Sequence, residues 1–359
     1  MWRRLIGRPL LQKAFAIFSH QSAAEAPDAA ILQLRQKGPT RSTAVFGQWL
    51  IMTNPPCPVT GAPAVRLVQW VPTRFLVDLW RVVYRTDARS SLGEHDQIGL
   101  WESPTGLYFF DPALEGDHVF YKQFYAFLLK RKLWSHHAIR HAFELAARRI
   151  RSGDRVLDVG CGFGSFRSVI PNAVYVGLDP NFADHADGAN VVAEPLSQHL
   201  LAHAGAYDAV CAFEVLEHLK SPAAMFADMV RATRPGGLVI VSVPHHPSAL
   251  TRIPNFVLNA PPHHLMWWTE PALSSLAGAA GVNVESIEQT QWNASDSLMY
   301  WMARYTPLRC GDIYFRPALS WYAAGLAGFL AARLAYTVDK VPRTTDEGAA
   351  LLMVARRPG

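Results

Sequence analysis

Two short stretches concentrate the side chains able to move a proton. Phe213-Glu214-Val215-Leu216-Glu217-His218-Leu219 places two carboxylates and an imidazole within five residues, and Pro261-Pro262-His263-His264 adds an imidazole pair further along. A neutral imidazole accepts a proton near physiological pH, and a carboxylate beside it can orient the ring or balance its charge. His245 and His246 follow another apolar run and are placed to line the same cavity. Such groups need a scaffold that brings the ends of separate strands together.

That scaffold is legible in Val156-Leu157-Asp158-Val159-Gly160-Cys161-Gly162-Phe163-Gly164. Apolar residues on both sides of Asp158 predict a short strand buried on both faces, the pattern of a parallel sheet. The strand runs into glycines at alternate positions, which tolerate positive φ and let a ligand approach the bare backbone. The spacing G-x-G-x-G differs from the G-x-G-x-x-G of dinucleotide sites. Asp158 would repel a pyrophosphate but pair well with an ammonium, so a cationic ligand without phosphate fits better. A second buried strand over 173–178 ends on Asp179, placed to accept hydrogen bonds from ribose hydroxyls. Further apolar runs predict strands over 190–193, 207–213 and 238–243. Ligands of open α/β sheets bind at the carboxyl ends of the strands, so the Glu214–His218 segment should face the reaction.

Together these residues resemble the class I S-adenosylmethionine-dependent methyltransferases, whose first motif reads VLDVGCGxG and whose second strand ends in an acid. The likeness covers roughly 140–287, with a last strand near 349–357. It implies a doubly wound, seven-stranded Rossmann-like α/β sheet of order 3-2-1-4-5-7-6 with the last strand antiparallel. It implies a cofactor site of Asp158, Gly160, Cys161, Gly162, Gly164, Asp179, Pro180, Glu194, Phe213 and Glu214, with Glu194 against the adenine edge. It also implies methyl transfer from S-adenosylmethionine, with His218 and His264 as the catalytic imidazoles. The pattern E-x-x-E-H with a distal histidine is similar to the divalent-metal site of ubiquinone-biosynthesis and plant-type small-RNA 2′-O-methyltransferases. On that likeness Glu214, Glu217, His218 and His264 (or His263) would hold Mg²⁺ at the acceptor oxygen. The expected acceptor is a small molecule, a glycan or a lipid-linked hydroxyl. An RNA acceptor, or a scaffold that kept the fold without turnover, are the alternatives.

The 359-residue chain is half hydrophobic and carries a formal net charge of +5, enough for one large domain with appendages. So small a surplus does not mark a nucleic-acid binder. An RNA acceptor would need a basic, aromatic-studded face, which residues 121–151 could supply. Cys57, Cys161, Cys211 and Cys310 show no paired spacing, which fits a reducing, cytoplasmic setting. Residues 1–50 read as a basic amphipathic segment and linker, with Arg3, Arg4, Arg8 and Lys13 set among Trp2, Leu5, Leu11 and Phe15. Such a segment suits peripheral contact with an anionic membrane.

Residues 51–116 resemble the small zinc ribbon that opens many bacterial methyltransferases of this class. Cys57-Pro58-Val59-Thr60-Gly61 stands for its first knuckle and Ser103-Pro104-Thr105-Gly106-Leu107 for its second, but three of the four thiolates are missing. A β-rich remnant without zinc is therefore expected. Residues 117–359 are assigned to the methyltransferase domain. Helical spacing runs over 117–150, and a helix is predicted between a Thr269 N-cap and Gly281. An apolar helical insertion occupies about 296–340. Arg333 and several small residues interrupt it, so it is expected to pack on the domain or lie in a membrane interface rather than span a bilayer.

Overall fold

The computed structural model describes residues 54–131, 140–180, 190–293, 296–342 and 348–359. The basic segment expected over 1–50 lies outside these residues, as does 132–139 of the predicted helical stretch.

Strands β1 (Arg66–Pro72), β2 (Gln97–Glu102) and β3 (Tyr108–Asp111) pair antiparallel in chain order. Between β1 and β2 the helix Thr73–Tyr84 turns Phe75, Leu76, Leu79 and Trp80 inward as one apolar stripe. The two turns that resemble zinc knuckles close alike. Cys57 N–H donates to the Ala62 carbonyl and Gly61 N–H to the Cys57 carbonyl, both at 2.8 Å. Ser103 N–H donates to the Leu107 carbonyl at 2.8 Å and Gly106 N–H to the Ser103 carbonyl at 3.0 Å. Gly61 and Gly106 sit at φ +72° and +75°, where a Cβ would be strained. Buried Cys57 and Val59 join one apolar cluster with Trp101, Leu107 and Phe109, so packing holds these turns together.

Next come β4 (Arg155–Val159), β5 (Val174–Leu178), β6 (Val191–Val192), β7 (Tyr207–Phe213), β8 (Thr233–Pro244), the two-residue β9 (Met266–Trp267), β10 (Asn283–Gln289) and β11 (Ala350–Arg356). Seven of them form one sheet in the order β10-β11-β8-β7-β4-β5-β6. The pairs among β4 to β8 are parallel, and β11 runs antiparallel to both β8 and β10. This is the doubly wound order that the family resemblance implies. Successive residues of a strand point to opposite faces, and here both faces are covered. Leu157, Val210 and Val239 belong to one buried cluster, while Val156, Ala209, Cys211 and Ile240 belong to the cluster on the other side. Such burial contributes roughly 1.5–3 kcal/mol for each Leu- or Val-sized side chain.

Two boundaries differ from expectation for local reasons. The strand predicted over 238–243 starts earlier, taking Arg234-Pro235-Gly236-Gly237 into β8 as a bulge. Tyr207 pairs with Thr233 but Ala209 with Leu238, and Gly236 takes φ +73°. The third strand shrinks to Val191–Val192 at the sheet edge. The predicted helix from Thr269 forms as Glu270–Ala279, and Thr269 Oγ1 accepts the Ala272 N–H at 3.2 Å. Strand β9, from the loop after β8, joins the first sheet by pairing Phe109 with Met266 and Tyr108 with Trp267. The insertion before β11 is a pair of helices, Ser297–Tyr305 and Leu319–Val338. Among the described residues no helix is long and apolar enough to cross a membrane.

Candidate active site

The glycine turn lies at the carboxyl end of β4. Gly160, Gly162 and Gly164 take φ +68°, +55° and +72°, values that an L side chain resists. Gly160 N–H donates to the Leu178 carbonyl at 2.8 Å, and Gly162 N–H donates to Asp179 Oδ2 at 3.0 Å. The acid ending β5 is thereby fixed to the turn. A Cβ on Gly160 would lie 2.6 Å from Val215 Cγ2, whereas one on Gly162 would meet nothing within 4 Å. The turn is thus wedged against the segment after β7 on one side and open on the other, a cradle of bare backbone that fits an approaching ligand.

Other residues expected to hold the cofactor fall elsewhere. Asp158 is buried at the carboxyl end of β4, close enough to the turn to feel the Asp179 charge. It is 2% exposed, and its Oδ2 accepts the Tyr175 hydroxyl at 2.8 Å. Burial raises its carboxyl to about 7, with the Asp179 charge adding to the effect. Phe213 faces the core, where its ring packs 4.7 Å from Phe166 and 4.8 Å from Phe143. Cys161 leans over Gly177, where a Cβ would come within 2.6 Å of its sulfur. Glu194 turns to His199, with Oε1 2.6 Å from Nδ1, and His199 Nε2 meets the Tyr207 hydroxyl at 2.5 Å. Pro180 closes the β5 end beside Asp179.

The histidines and the two glutamates gather around the turn that follows β7. Past β7 the backbone turns at Glu214, φ +58°, and then forms a single 3₁₀ turn over Leu216–His218. Two bonds tie this turn to the segment before β9. Leu265 N–H donates to the Glu217 carbonyl at 2.7 Å, and His218 Nδ1 donates to the His263 carbonyl at 2.6 Å. A carbonyl can only accept, so the bond fixes the tautomer and leaves Nε2 with its lone pair. The rings of His218, His263 and His264 lie 4.5–4.9 Å apart, centroid to centroid. Trp80, Tyr121 and Phe124 enclose them at 5.1–6.4 Å. Tyr121 and Phe124 lie on the helix His118–Arg131, within the stretch where helical spacing is read in the sequence. His246 goes elsewhere, against Tyr108 at 4.3 Å and Trp267 at 5.4 Å.

Burial dominates the electrostatics. It lowers His218 to about 4 and drives His263 and His264 well below the ordinary imidazole range, so the cluster is neutral at pH 7. Glu217 moves the other way. It is fully buried, neither carboxylate oxygen has a hydrogen-bond partner, and burial with the Glu214 charge raises it well above the carboxylate range. Its Oε1 lies 3.7 Å from His218 Nε2. Glu214 points away, accepting from Ser242 Oγ at 3.0 Å. Burial raises Asp158, Glu214, Glu217 and Asp296 alike, and the positive charge of Arg140, which no sequence pattern marks, partly offsets that rise in each.

The metal expectation changes accordingly. One nitrogen from each of His218, His263 and His264 lies within 4.8 Å of the others, and neither glutamate joins this group. Mg²⁺ prefers oxygen ligands, and three imidazoles suit it poorly. The residues present do not fit Mg²⁺.

Residues 131–287 match the family model described as a methyltransferase domain. A ubiquinone biosynthesis O-methyltransferase of Escherichia fergusonii is 33% identical over 102 residues, covering 25% of this chain and 42% of the relative. Its counterpart in Escherichia coli K12 is 36% identical over the same shares. The chain thus spans less than half the length of these curated relatives. Among solved structures, an S-adenosylmethionine-dependent methyltransferase from Mesorhizobium loti is 17% identical with a TM-score of 0.38, covering 60% of this chain and 98% of the other. A Burkholderia thailandensis 1,6-didemethyltoxoflavin-N1-methyltransferase is 18% identical with a TM-score of 0.41, covering 73% and 96%. With the glycine turn, the acid fixed to it and the sheet order all in place, residues 131–287 match a methyltransferase domain, similar in its elements to the class I S-adenosylmethionine-dependent methyltransferases.

Proposed function

We propose that this protein transfers the methyl group of S-adenosylmethionine to an oxygen of a small, glycan or lipid-linked acceptor, with His218 as general base. The observation that carries this reading is the bond from His218 Nδ1 to the His263 carbonyl at 2.6 Å, which leaves Nε2 free to take a proton. Bound S-adenosylmethionine supplies an electrophilic methyl on its sulfonium. The open backbone at Gly162 and the carboxylate of Asp179 fit the cofactor's ribose side. Arg140 suits its carboxylate, because it is a cation facing several acids.

Transfer to a hydroxyl needs the acceptor oxygen aligned and its proton removed. Neutral His218 accepts that proton at Nε2. Glu217 stands 3.7 Å away and holds a proton more readily than an ordinary carboxylate, so the pair can share the charge that develops. His263 and His264, with Tyr121 and Phe124, wall the acceptor off from water. Asp296, raised to about 6 by burial, senses both Glu214 and Arg140. The exposed leucines of the apolar helix pair that follows Asp296 favour a lipid-linked acceptor.

The test is calorimetric titration with S-adenosylhomocysteine, followed by a methyl-transfer assay on phenolic and glycolipid acceptors with wild type and His218→Ala. Binding should be micromolar and survive the substitution, while turnover falls by about 10²–10⁴-fold. Absence of binding would end the methyl-transfer reading, and full turnover without His218 would end its role as base.

A further inference from the structure

The helix Leu319–Val338 is packed inside out for a face in water. Its buried side consists of Trp321 and the small residues Ala324, Gly328 and Ala332. Gly328 approaches Thr306 so closely that a Cβ there would fall 2.0 Å from Thr306 Oγ1. Its outer side carries Leu319, Leu326, Leu330, Leu334 and Val338, each between 45% and 89% exposed. Water-facing helices normally bury the leucines and expose the polar residues. Small residues inward and leucines outward is the arrangement of helices whose surroundings are themselves apolar.

The exposed charges on the helix pair and its flanks are mostly positive. Arg304, Arg309, Arg316, Arg333 and Lys340 are exposed on the helix pair and its flanks. Of the acids within 296–342, Asp312 alone is exposed, and it already pairs with Arg66 at 3.3 Å. Arg333 stands among the leucines on a helix that contains no acid. A second copy docked here would bury that guanidinium without a partner, at considerable cost. A layer of anionic lipid offers hydrocarbon to the leucines and phosphate to the arginines, with the Arg333 stem lying along the interface.

We infer that the outer face of Leu319–Val338 is a docking surface for an anionic lipid bilayer, on which the helix lies in the interface plane. Because the exposed leucines and arginines carry it, the assignment is independent of the chemistry at His218.

The full-length chain should co-sediment with vesicles of phosphatidylcholine containing phosphatidylglycerol, bind weakly to phosphatidylcholine alone, and release as salt rises. The double substitution Leu326→Glu, Leu330→Glu should lower partitioning roughly a hundredfold or more, and Arg333→Ala roughly five-fold. Both variants should keep the wild-type melting temperature and S-adenosylhomocysteine affinity, since these side chains are exposed. Failure of the wild type to bind either vesicle would overturn the inference. So would undiminished binding by the double variant, or a wild-type dimer that the double substitution dissolves in the absence of lipid.

Discussion

The glycine turn is closed by groups near one another in sequence, with Gly162 donating to Asp179 across 17 residues. The histidine cluster is drawn from two segments, with His218 reaching His263 across 45. The turn depends on backbone angles that glycine alone adopts comfortably, while the cluster depends on side chains sealed by a neighbouring sheet and helix. Their protons differ as well. Burial makes Asp158, under the turn, hold its proton up to about 7 and makes His218 shed its proton down to about 4. One low-dielectric interior thus neutralises both halves of the site, from opposite directions.

Gly160→Ala should separate the halves most sharply. A methyl at φ +68°, set 2.6 Å from Val215, strains the backbone and crowds the segment after β7. Stability should fall by about 2–4 kcal/mol, and S-adenosylhomocysteine binding with it, as read by thermal melting and calorimetry. A fully stable, binding-competent variant would mean that the turn is not wedged as described.

A smaller effect is a difference in sign between two pH profiles of stability. Between 3.8 and about 7 native Asp158 holds a proton that the unfolded chain has lost, so this group makes stability fall as pH rises through that window. Between about 4 and 6.5 native His218 lacks a proton that the unfolded chain holds, so this group makes stability rise with pH. Relative to wild type, Asp158→Asn should tilt the denaturation-midpoint profile upward with pH and His218→Gln should tilt it downward. Parallel tilts would show that burial does not treat the two halves oppositely. The smallest effect expected is that of Mg²⁺. Because three imidazoles and no carboxylate meet at the cluster, adding Mg²⁺ or chelating it should change S-adenosylhomocysteine affinity by less than about two-fold. A larger dependence would return the glutamates to a ligand role.

This contrast also explains what could be read in the sequence. Strands β4, β5 and β7 were legible because burial on both faces demands unbroken apolar runs, and the turn because positive φ demands glycine. Asp179 followed from its place at a strand end. Phe213 was misplaced because a single aromatic at a strand end carries no sign of which face it takes; here Phe143 and Phe166 claim it. Glu214 turned away because the backbone adopts φ +58° there, an angle that no glycine announced. Glu194 gave no hint of His199, whose ring reaches it from one helical turn further on. Arg140 acts through space on acids from three segments, and no spacing rule records such a position.

Strand β9 is two residues long, yet it alters where this molecule can be divided. Met266 and Trp267 hang the loop bearing His263 and His264 on β3, and Trp80 Nε1 grips the Pro261 carbonyl from the same side at 3.0 Å. A fragment trimmed to 131–287 would keep β4 to β9, most of β10 and the glycine turn, but lose the wall to which these imidazoles are pinned. Such a fragment also lacks β11, which separates β8 from β10 in the sheet. The unit that must be expressed or swapped intact is therefore longer than the matched domain, because the histidine cluster is held in place by residues that precede it.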